Sequence, residues 1–373
     1  MASKLLALLY ASHFGSVAVE YVFLPYAFVT RGLTVSEVGT LVAARTVALI
    51  VFQPWLAGAT DRYGRPFRTL KIVFVAGDGG SAILSVVVLQ ACFRAPLIPV
   101  IDASAVREVG VERYGRIRVW GSLGFGICAA LLGALSRSSS YDHTGEIALQ
   151  VYAGLTAASA VCALVLRDAP TATTEPSPSS RPRLGLAFAV FVVWNALHWA
   201  PIASYNAVIS LHTKALGAAP SVPGYAMGIA IAGETAAFLV APWLFRRGGS
   251  ARWAVAAVAF SSLRWLVCAL TNRTEWLIGI QILHFFGFGL WYAAASSRLA
   301  AFAELDRRAS VHAMFSAGVL AAGGALGSWG GGWLLEHCGG RLLFQVSAGL
   351  DSLSLLVAIA TWRIWSEPPQ ASP

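Results

Sequence analysis

Apolar runs of about 20 residues, the length that crosses ~30 Å of hydrocarbon as a helix, follow one another along nearly the whole chain. Short polar turns interrupt them. Polar helix faces between the runs, which a soluble protein would need, are missing. The first run covers about Leu5–Val29 and holds His13, Glu20 and Pro25, and the second covers about Val38–Ala57 and holds Arg45. A third and a fourth must share Thr69–Val106, barely enough at ~20 residues each, and Gly77-Asp78-Gly79-Gly80 interrupts that stretch. The third helix is therefore expected to be truncated or irregular. The fifth run follows from Val119 to about Leu135, and the sixth covers about Ile147–Leu166.

Asp168–Arg183 is rich in Pro, Ser and Thr, a composition that cannot bury a core and acts as a linker. Six more runs follow, at about Leu184–Ser210, Gly224–Phe245, Trp253–Leu270, Glu275–Ala300, Val311–Leu335 and Leu342–Trp365. The pattern predicts an all-α polytopic membrane protein of about twelve transmembrane helices in two six-helix halves. The halves are residues 1–167 and 184–366, joined by a cytoplasmic linker at 168–183 and followed by a tail at 367–373.

Composition agrees. Of the 373 residues 57% are hydrophobic and 12% charged, half the ~25% charge of an ordinary soluble domain. The net charge of +9 is distributed by loop. Basic residues crowd alternate segments, such as Arg62, Arg65 and Arg68, Arg113, Arg116 and Arg118, and Arg246 and Arg247. The intervening loops hold only Arg31, Arg137, Lys214, Arg273 and Arg341. The positive-inside rule then puts both termini in the cytoplasm, and a cell membrane is the expected location. No separate basic domain exists to bind nucleic acid. The five cysteines form no CxxC pair, so neither a disulfide framework nor a zinc site is implied. No metal or cofactor is expected. Met1-Ala-Ser-Lys4 could open a signal peptide, but the apolar run continues past Glu20 to Thr30, which fits a first span better.

A charge at the centre of a bilayer costs roughly 2.5–3.5 kcal/mol on insertion scales, so it needs a partner, a wet cavity or a function. Glu234, Arg264 and His284 lie inside three consecutive runs, at depths that allow mutual pairing. Histidine ordinarily titrates near neutral pH, so His284, like Glu234, is a candidate for taking and releasing a proton. Arg264 would hold an anion or neutralise Glu234. In the first half Glu20 and Arg45 are candidates for a complementary pair, with His13 two turns from Glu20 on the same face. A structural ion-pair role stands beside the functional one for both sets. Asp78 suits a turn, and Arg94 lies in a loop or part-way into the fourth span. Asn195, His198, Ile202 and Tyr205 share one face of the seventh span, with Trp194 and Trp199 beside them. Such groups suit a pocket for a sugar, nucleoside or aromatic acid, and Trp291 is placed to stack there. Interhelical packing and an interfacial aromatic belt account for the tryptophans equally well. The small-residue run Ala321–Gly332 allows close helix packing.

Two six-span halves with a cytoplasmic linker resemble the major facilitator superfamily. Gly58-x-x-Asp61-Arg62-x-Gly64-Arg65 is similar to that superfamily's loop between the second and third helices, where Asp and Arg tie helix ends together in one conformation. Arg118 belongs to the corresponding basic segment. The counterpart in the second half, Phe245-Arg246-Arg247-Gly248-Gly249, has no Asp. Leu24-Pro25-Tyr26, Gly32-Leu-x-x-Ser36-x-x-Gly39, Ala44-Arg45, Pro96-Leu-x-Pro99-x-x-Asp102-Ala103, Tyr114-Gly115-x-x-Arg118-x-Trp120-Gly121-Ser122 and Gln281-x-Leu-His284 occur in that order. Together they resemble the phenylpropionate permease-like branch, near the lactose and nucleoside proton symporters.

The resemblance implies a monomeric secondary transporter working by alternating access, with a central site for a small polar or anionic solute moved with a proton. Glu234, Arg264 and His284 resemble the coupling set of lactose permease, except that its further Glu, one turn after the His, is here Gly287. A transport-inactive receptor or scaffold is the alternative. ATP hydrolysis and an intramembrane protease lack their motifs, GxxxxGK[ST] and HExxH.

Overall fold

A computed structural model describes residues 2–48, 97–166, 185–299, 302 and 308–366, and every regular element there is a helix. The Gly58, Asp61, Arg62, Gly64 and Arg65 motif, Asp78, Arg94, the 168–183 linker and the 367–373 tail lie outside the described residues. So does the start of the cramped third–fourth hairpin. Among the described residues, eight helical stretches are long and apolar enough to cross a bilayer. Large apolar side chains such as Leu135, Leu239 and Leu356 point outward, as hydrocarbon rather than water would favour.

The first expected span is two helices, α1 (Ala2–Val22) and α2 (Leu24–Thr30), divided at Phe23. Pro25 has no N–H to give the preceding turn, so the helix restarts around it. Helix α3 covers 35–48 and opens with a reciprocal cap. The Thr34 N–H donates to Glu37 Oε2 (2.8 Å) and the Glu37 N–H donates to Thr34 Oγ1 (3.2 Å). Then come α4 (Leu97–Val109), α5 (Val111–Leu135) and α6 (Tyr141–Val165). Ser140 caps α6 by accepting from the His143 N–H, and Asp142 complements the helix dipole in its first turn.

Helices α7 (Leu186–Ala215), α8 (Val222–Gly248), α9 (Ser250–Leu270) and α10 (Thr274–Leu299) follow. Next, α11 (Arg308–Phe315) runs through a widened stretch, Ser316–Gly323, into α12 (Gly324–Ala360). Gly339 divides α12 into two arms with φ 78° and ψ 169°, a conformation that costs glycine little. Helix α13 (Trp362–Trp365) ends the described chain.

The chain forms two compact units, Met1–Glu175 with Ile209–Gly228, and Pro176–Val208 with Ile229–Pro373. In the first, α1 packs along α5 and α6. Gly124 of α5 lies directly against the Ala11 backbone, where a Cβ would collide. The Ser12 and Ser159 hydroxyls, 2.8 Å apart, tie α1 to α6.

The second unit is built on an aromatic core that includes Phe191, Trp194, Trp291, Phe315 and Trp365. Gly323, Gly327 and Gly331, four residues apart, face Ala196, Ala200 and Ser204 of α7 at the same spacing. A Cβ on Gly323 would stand 3.0 Å from the Ala196 carbonyl, and one on Gly327 or Gly331 would collide outright. The small-residue run therefore does what its composition predicts and lets two backbones touch. Helix α9 lies along α12, with the Ser262 and Ser352 hydroxyls 2.9 Å apart.

Candidate functional site

The polar centre of the second unit is organised by α10, which is not the regular helix its apolar run predicts. It is α-helical over Thr274–Gly279, tightens to a 3₁₀ turn at Ile280–Leu283, widens to a π turn over Phe285–Leu290, and returns to α at Trp291. Wide turns of this kind re-aim side chains and carbonyls, and they recur at functional sites. His284 sits where the tight turn meets the wide one.

Arg264 of α9 is fully buried. Its Nε donates to Gln281 Oε1 (3.0 Å), its Nη2 donates to the same oxygen, and its Nη1 donates to His284 Nδ1 (3.0 Å). The Tyr205 and Trp265 rings flank the guanidinium, with centroids 4.8 and 4.2 Å from Cζ. On the far side of His284, Nε2 lies 3.8 Å from Glu234 Oε2. The three charges singled out in the sequence are thus brought together, and His284 stands between the other two. A Cβ on Gly287 would be 3.0 Å from Ser261 Oγ and 3.8 Å from Arg264 Nη1. The packing leaves little room there for the acid of the lactose permease pattern.

A second arrangement adjoins the first. His198 of α7 is fully buried, with Nδ1 2.8 Å from Asp351 Oδ1 of α12 and Nε2 2.7 Å from the Gly287 carbonyl of the π turn. Sequence reasoning names His198 and misses Asp351. The signal is there: Asp351 is an acid inside the apolar run Leu342–Trp365, the criterion that picks out Glu234. Gln281 enters only as part of a motif, because a neutral amide carries no such cost.

Asn195, Tyr205 and Trp291 are likewise enclosed rather than lining an open surface. Trp291 Nε1 donates to Asn195 Oδ1 (2.8 Å), Asn195 Nδ2 donates to the Phe191 carbonyl (2.6 Å), and the Trp291 ring lies against His198 with centroids 4.7 Å apart. The half-buried groups at this centre include Glu234 and three aromatic rings. Phe288 stacks on His284 at 5.4 Å and on Tyr292 at 5.5 Å, nearly parallel in both cases. Trp199 stacks on Trp291 at 5.9 Å.

In the first unit, Arg45 Nε meets Glu20 Oε1 at 2.9 Å, and the guanidinium lies 5.0 Å from the Tyr21 ring centroid. His13 is buried one helix turn and more away, edge-on to Phe14. Arg118 stacks over Phe14 at 4.4 Å and is half-buried. Beside it, the Tyr10 and Tyr114 hydroxyls both donate to Asp102 Oδ1, the latter at 2.9 Å. The Pro96–Ala103 and Tyr114–Ser122 motifs therefore meet in one cluster.

Among the described residues, no group of His, Cys, Asp and Glu is spaced to hold a metal ion.

Known proteins point the same way. The chain is 26% identical over 325 residues to the "Probable 3-phenylpropionic acid transporter" of Escherichia coli K12, covering 80% of this chain and 82% of that one. It is 27% identical over 331 residues to the maltose permease of Geobacillus stearothermophilus, covering 82% and 80%. Its fold matches the crystal structure of the nucleoside transporter NupG with a TM-score of 0.79 at 20% identity, over 97% of this chain and 98% of that one. It also matches a bacterial homologue of the lysosomal transporter Spinster, in an inward-facing and occupied conformation, with a TM-score of 0.77 at 13% identity, over 100% and 98%. The MFS_1-like family model covers residues 4–346, and the chain belongs to that family of the major facilitator superfamily, with the helical membrane fold that its apolar runs predict.

Proposed function

We propose that the chain is a proton-coupled symporter that moves a small polar or anionic organic solute by alternating access, with Glu234 taking the coupling proton and His284 as the neighbour that responds to it. The observation that carries this is the line Arg264–His284–Glu234. A guanidinium can only donate hydrogen bonds, so His284 Nδ1 accepts from Arg264 and the ring proton sits on Nε2, directed at Glu234. A proton reaching Glu234 has a neighbour whose hydrogen-bonding state responds to it, and Arg264 keeps a positive field close by.

The ladder of buried His284 with half-buried Phe288 and Tyr292, and half-buried Trp199 beside Trp291, supports a flat or ring-shaped solute. A sugar, a nucleoside and an aromatic acid all fit that description, and each is named for a relative or a fold neighbour. His198, Asn195, Tyr205 and Trp291 form the layer behind the ladder. In the other unit, Glu20, Arg45 and His13 supply a second polar patch. We place the halves at 1–167 and 184–366, both termini in the cytoplasm, and the working unit as a monomer in the cell membrane. The Arg118 cluster would then face the cytoplasm and help set the conformational equilibrium.

The test is uptake into proteoliposomes across an imposed pH gradient, acid outside, with radiolabelled 3-phenylpropionate, maltose and uridine. At least one should accumulate, and Glu234→Gln should abolish the accumulation. Unchanged gradient-driven uptake in both Glu234→Gln and His284→Ala would reject the coupling site. Saturable binding of a solute without any transport would favour the receptor.

A further inference from the structure

Both ring nitrogens of His198 face acceptors. The Gly287 carbonyl, 2.7 Å from Nε2, has no proton to give, so Nε2 must carry one. That leaves Nδ1 and Asp351 Oδ1, 2.8 Å apart, with a hydrogen bond that needs a second proton between them. The proton is on Nδ1, giving imidazolium and carboxylate, or on Oδ1, giving neutral imidazole and carboxylic acid. A neutral imidazole beside a bare carboxylate satisfies only one of the two contacts.

We infer that the buried His198–Asp351 pair is a second proton-holding site, carrying one proton more than a neutral imidazole and a carboxylate hold together. The pair bridges three helices: α7 through His198, α10 through the π-turn carbonyl of Gly287, and α12 through Asp351. Losing the proton turns a lone pair of the ring toward either the carboxylate or the carbonyl, so one of the two ties must open. The π turn that presents Gly287 is the same turn that follows His284, so one distorted stretch of α10 touches both sites.

The charged and titratable groups facing the pair limit where the proton can go. Arg264 on α9 interacts electrostatically with Asp351, and His284 on α10 with His198. Tyr205 on α7 and Cys268 on α9 flank Arg264, and Glu234 on α8 lies beyond His284. On α12 the group is Asp351 itself. Its second oxygen, Oδ2, is buried and has no donor among the described residues, which favours the form in which the carboxyl is neutral.

Two measurements on the full chain decide this, the first in lipid nanodiscs without substrate and the second in proteoliposomes. Infrared spectra at pH 7, with and without ring-¹⁵N histidine, are compared between wild type, Asp351→Asn and His198→Gln. The wild type should show a protonated carboxyl, lost in Asp351→Asn, or a doubly protonated ring, lost in His198→Gln. An ionised Asp351 beside a singly protonated His198 would overturn the proposal.

The second measurement rests on the transporter assignment and uses whichever of 3-phenylpropionate, maltose or uridine is taken up. Asn at 351 can donate from its amide to Nδ1 and keep Nε2–H on Gly287, copying the loaded state. Asp351→Asn should retain counterflow exchange while pH-driven accumulation falls about tenfold or more, as for loss of an intramembrane proton site. Equal loss of both, in protein that still folds, would reduce the pair to a structural pin. If no solute is transported, the transporter assignment fails while the infrared result still decides the pair.

Discussion

Arg264 determines which nitrogen of His284 carries the ring proton. Its Nη1 donates to Nδ1 at 3.0 Å, so the N–H is on Nε2, the side that looks toward Glu234 3.8 Å away. The arginine thus acts on the neighbour of the proposed proton carrier Glu234 through a tautomer, with His284 interposed between its own charge and the glutamate.

Replacing Arg264 separates its charge from its shape. Lysine keeps the charge but cannot span Gln281 and His284 with a planar fork. Both Arg264→Lys and Arg264→Gln should lower stability by about 1–3 kcal/mol, the cost of leaving a buried acceptor without a donor. They should also disable gradient-driven uptake. Melting in detergent and proteoliposome uptake measure the two effects. A lysine variant with wild-type values in both assays would refute the tautomer argument.

The Glu20–Arg45 pair in the first unit is about 10% exposed on each side chain. Removing one partner of such a pair leaves a buried charge alone and costs about 3–5 kcal/mol. Glu20→Gln and Arg45→Gln should each show that loss, and the double variant should lose less than their sum. A double-mutant cycle on chemical or thermal unfolding provides the check. Additive losses would mean that the two charges do not depend on each other.

Neighbouring glycines on α12 should respond in opposite ways. Gly327 touches the Ala200 backbone, whereas nothing lies within 4 Å of the Cβ position of Gly330. Gly327→Val should overpack the seam by about 1–3 kcal/mol and reduce the folded yield. Gly330→Ala should be neutral or gain up to about 1 kcal/mol from helix propensity. Fluorescence-detected size exclusion with a melting curve distinguishes them, and equal behaviour would remove the seam as a packing constraint.

Trp291 backs the His198 ring and donates to Asn195. Trp291→Phe keeps the ring but leaves Asn195 Oδ1 without its donor, at about 1–3 kcal/mol. Trp291→Ala also opens a cavity, for a total nearer 3–5 kcal/mol. The ordering of the two melting temperatures is the prediction, and reversing it would show that Trp291 is not packed as described.

The sequence exposes what is costly and conceals what is cheap. Glu234, Arg264 and His284 stand out because charge inside an apolar run is expensive, and the structure brings those three together. Pro25 announces the break after α1 because it has no N–H. Asp351 carries the same warning as Glu234, but it lies spans away from the other charges and its partner is a histidine far back on α7. The winding of α10 is of another kind. Apart from Gln281 and His284, Ile280–Leu290 is an apolar stretch with two glycines and no proline, and the difference between 3₁₀, α and π turns is too small to leave a compositional mark. The partner of the Gly287 carbonyl therefore leaves no trace in the sequence. The glycines at 323, 327 and 331 lie between these cases: their small size is written in the chain, while the Ala196, Ala200 and Ser204 they meet is not.

The paired windings of α10 have a mechanical consequence. A 3₁₀ turn is overwound relative to an α-helix and a π turn is underwound, so the two phase errors offset each other along the rod. The ends near Thr274 and Leu299 then keep nearly the orientation of an undistorted helix, while the residues between them are rotated about its axis. If the overwound and underwound turns relaxed together, His284 and the Gly287 carbonyl would swing to new bearings with both ends still anchored. Such a paired winding is the geometry in which a small internal twist changes the partners of His284 and Gly287 while the helix ends keep their bearings.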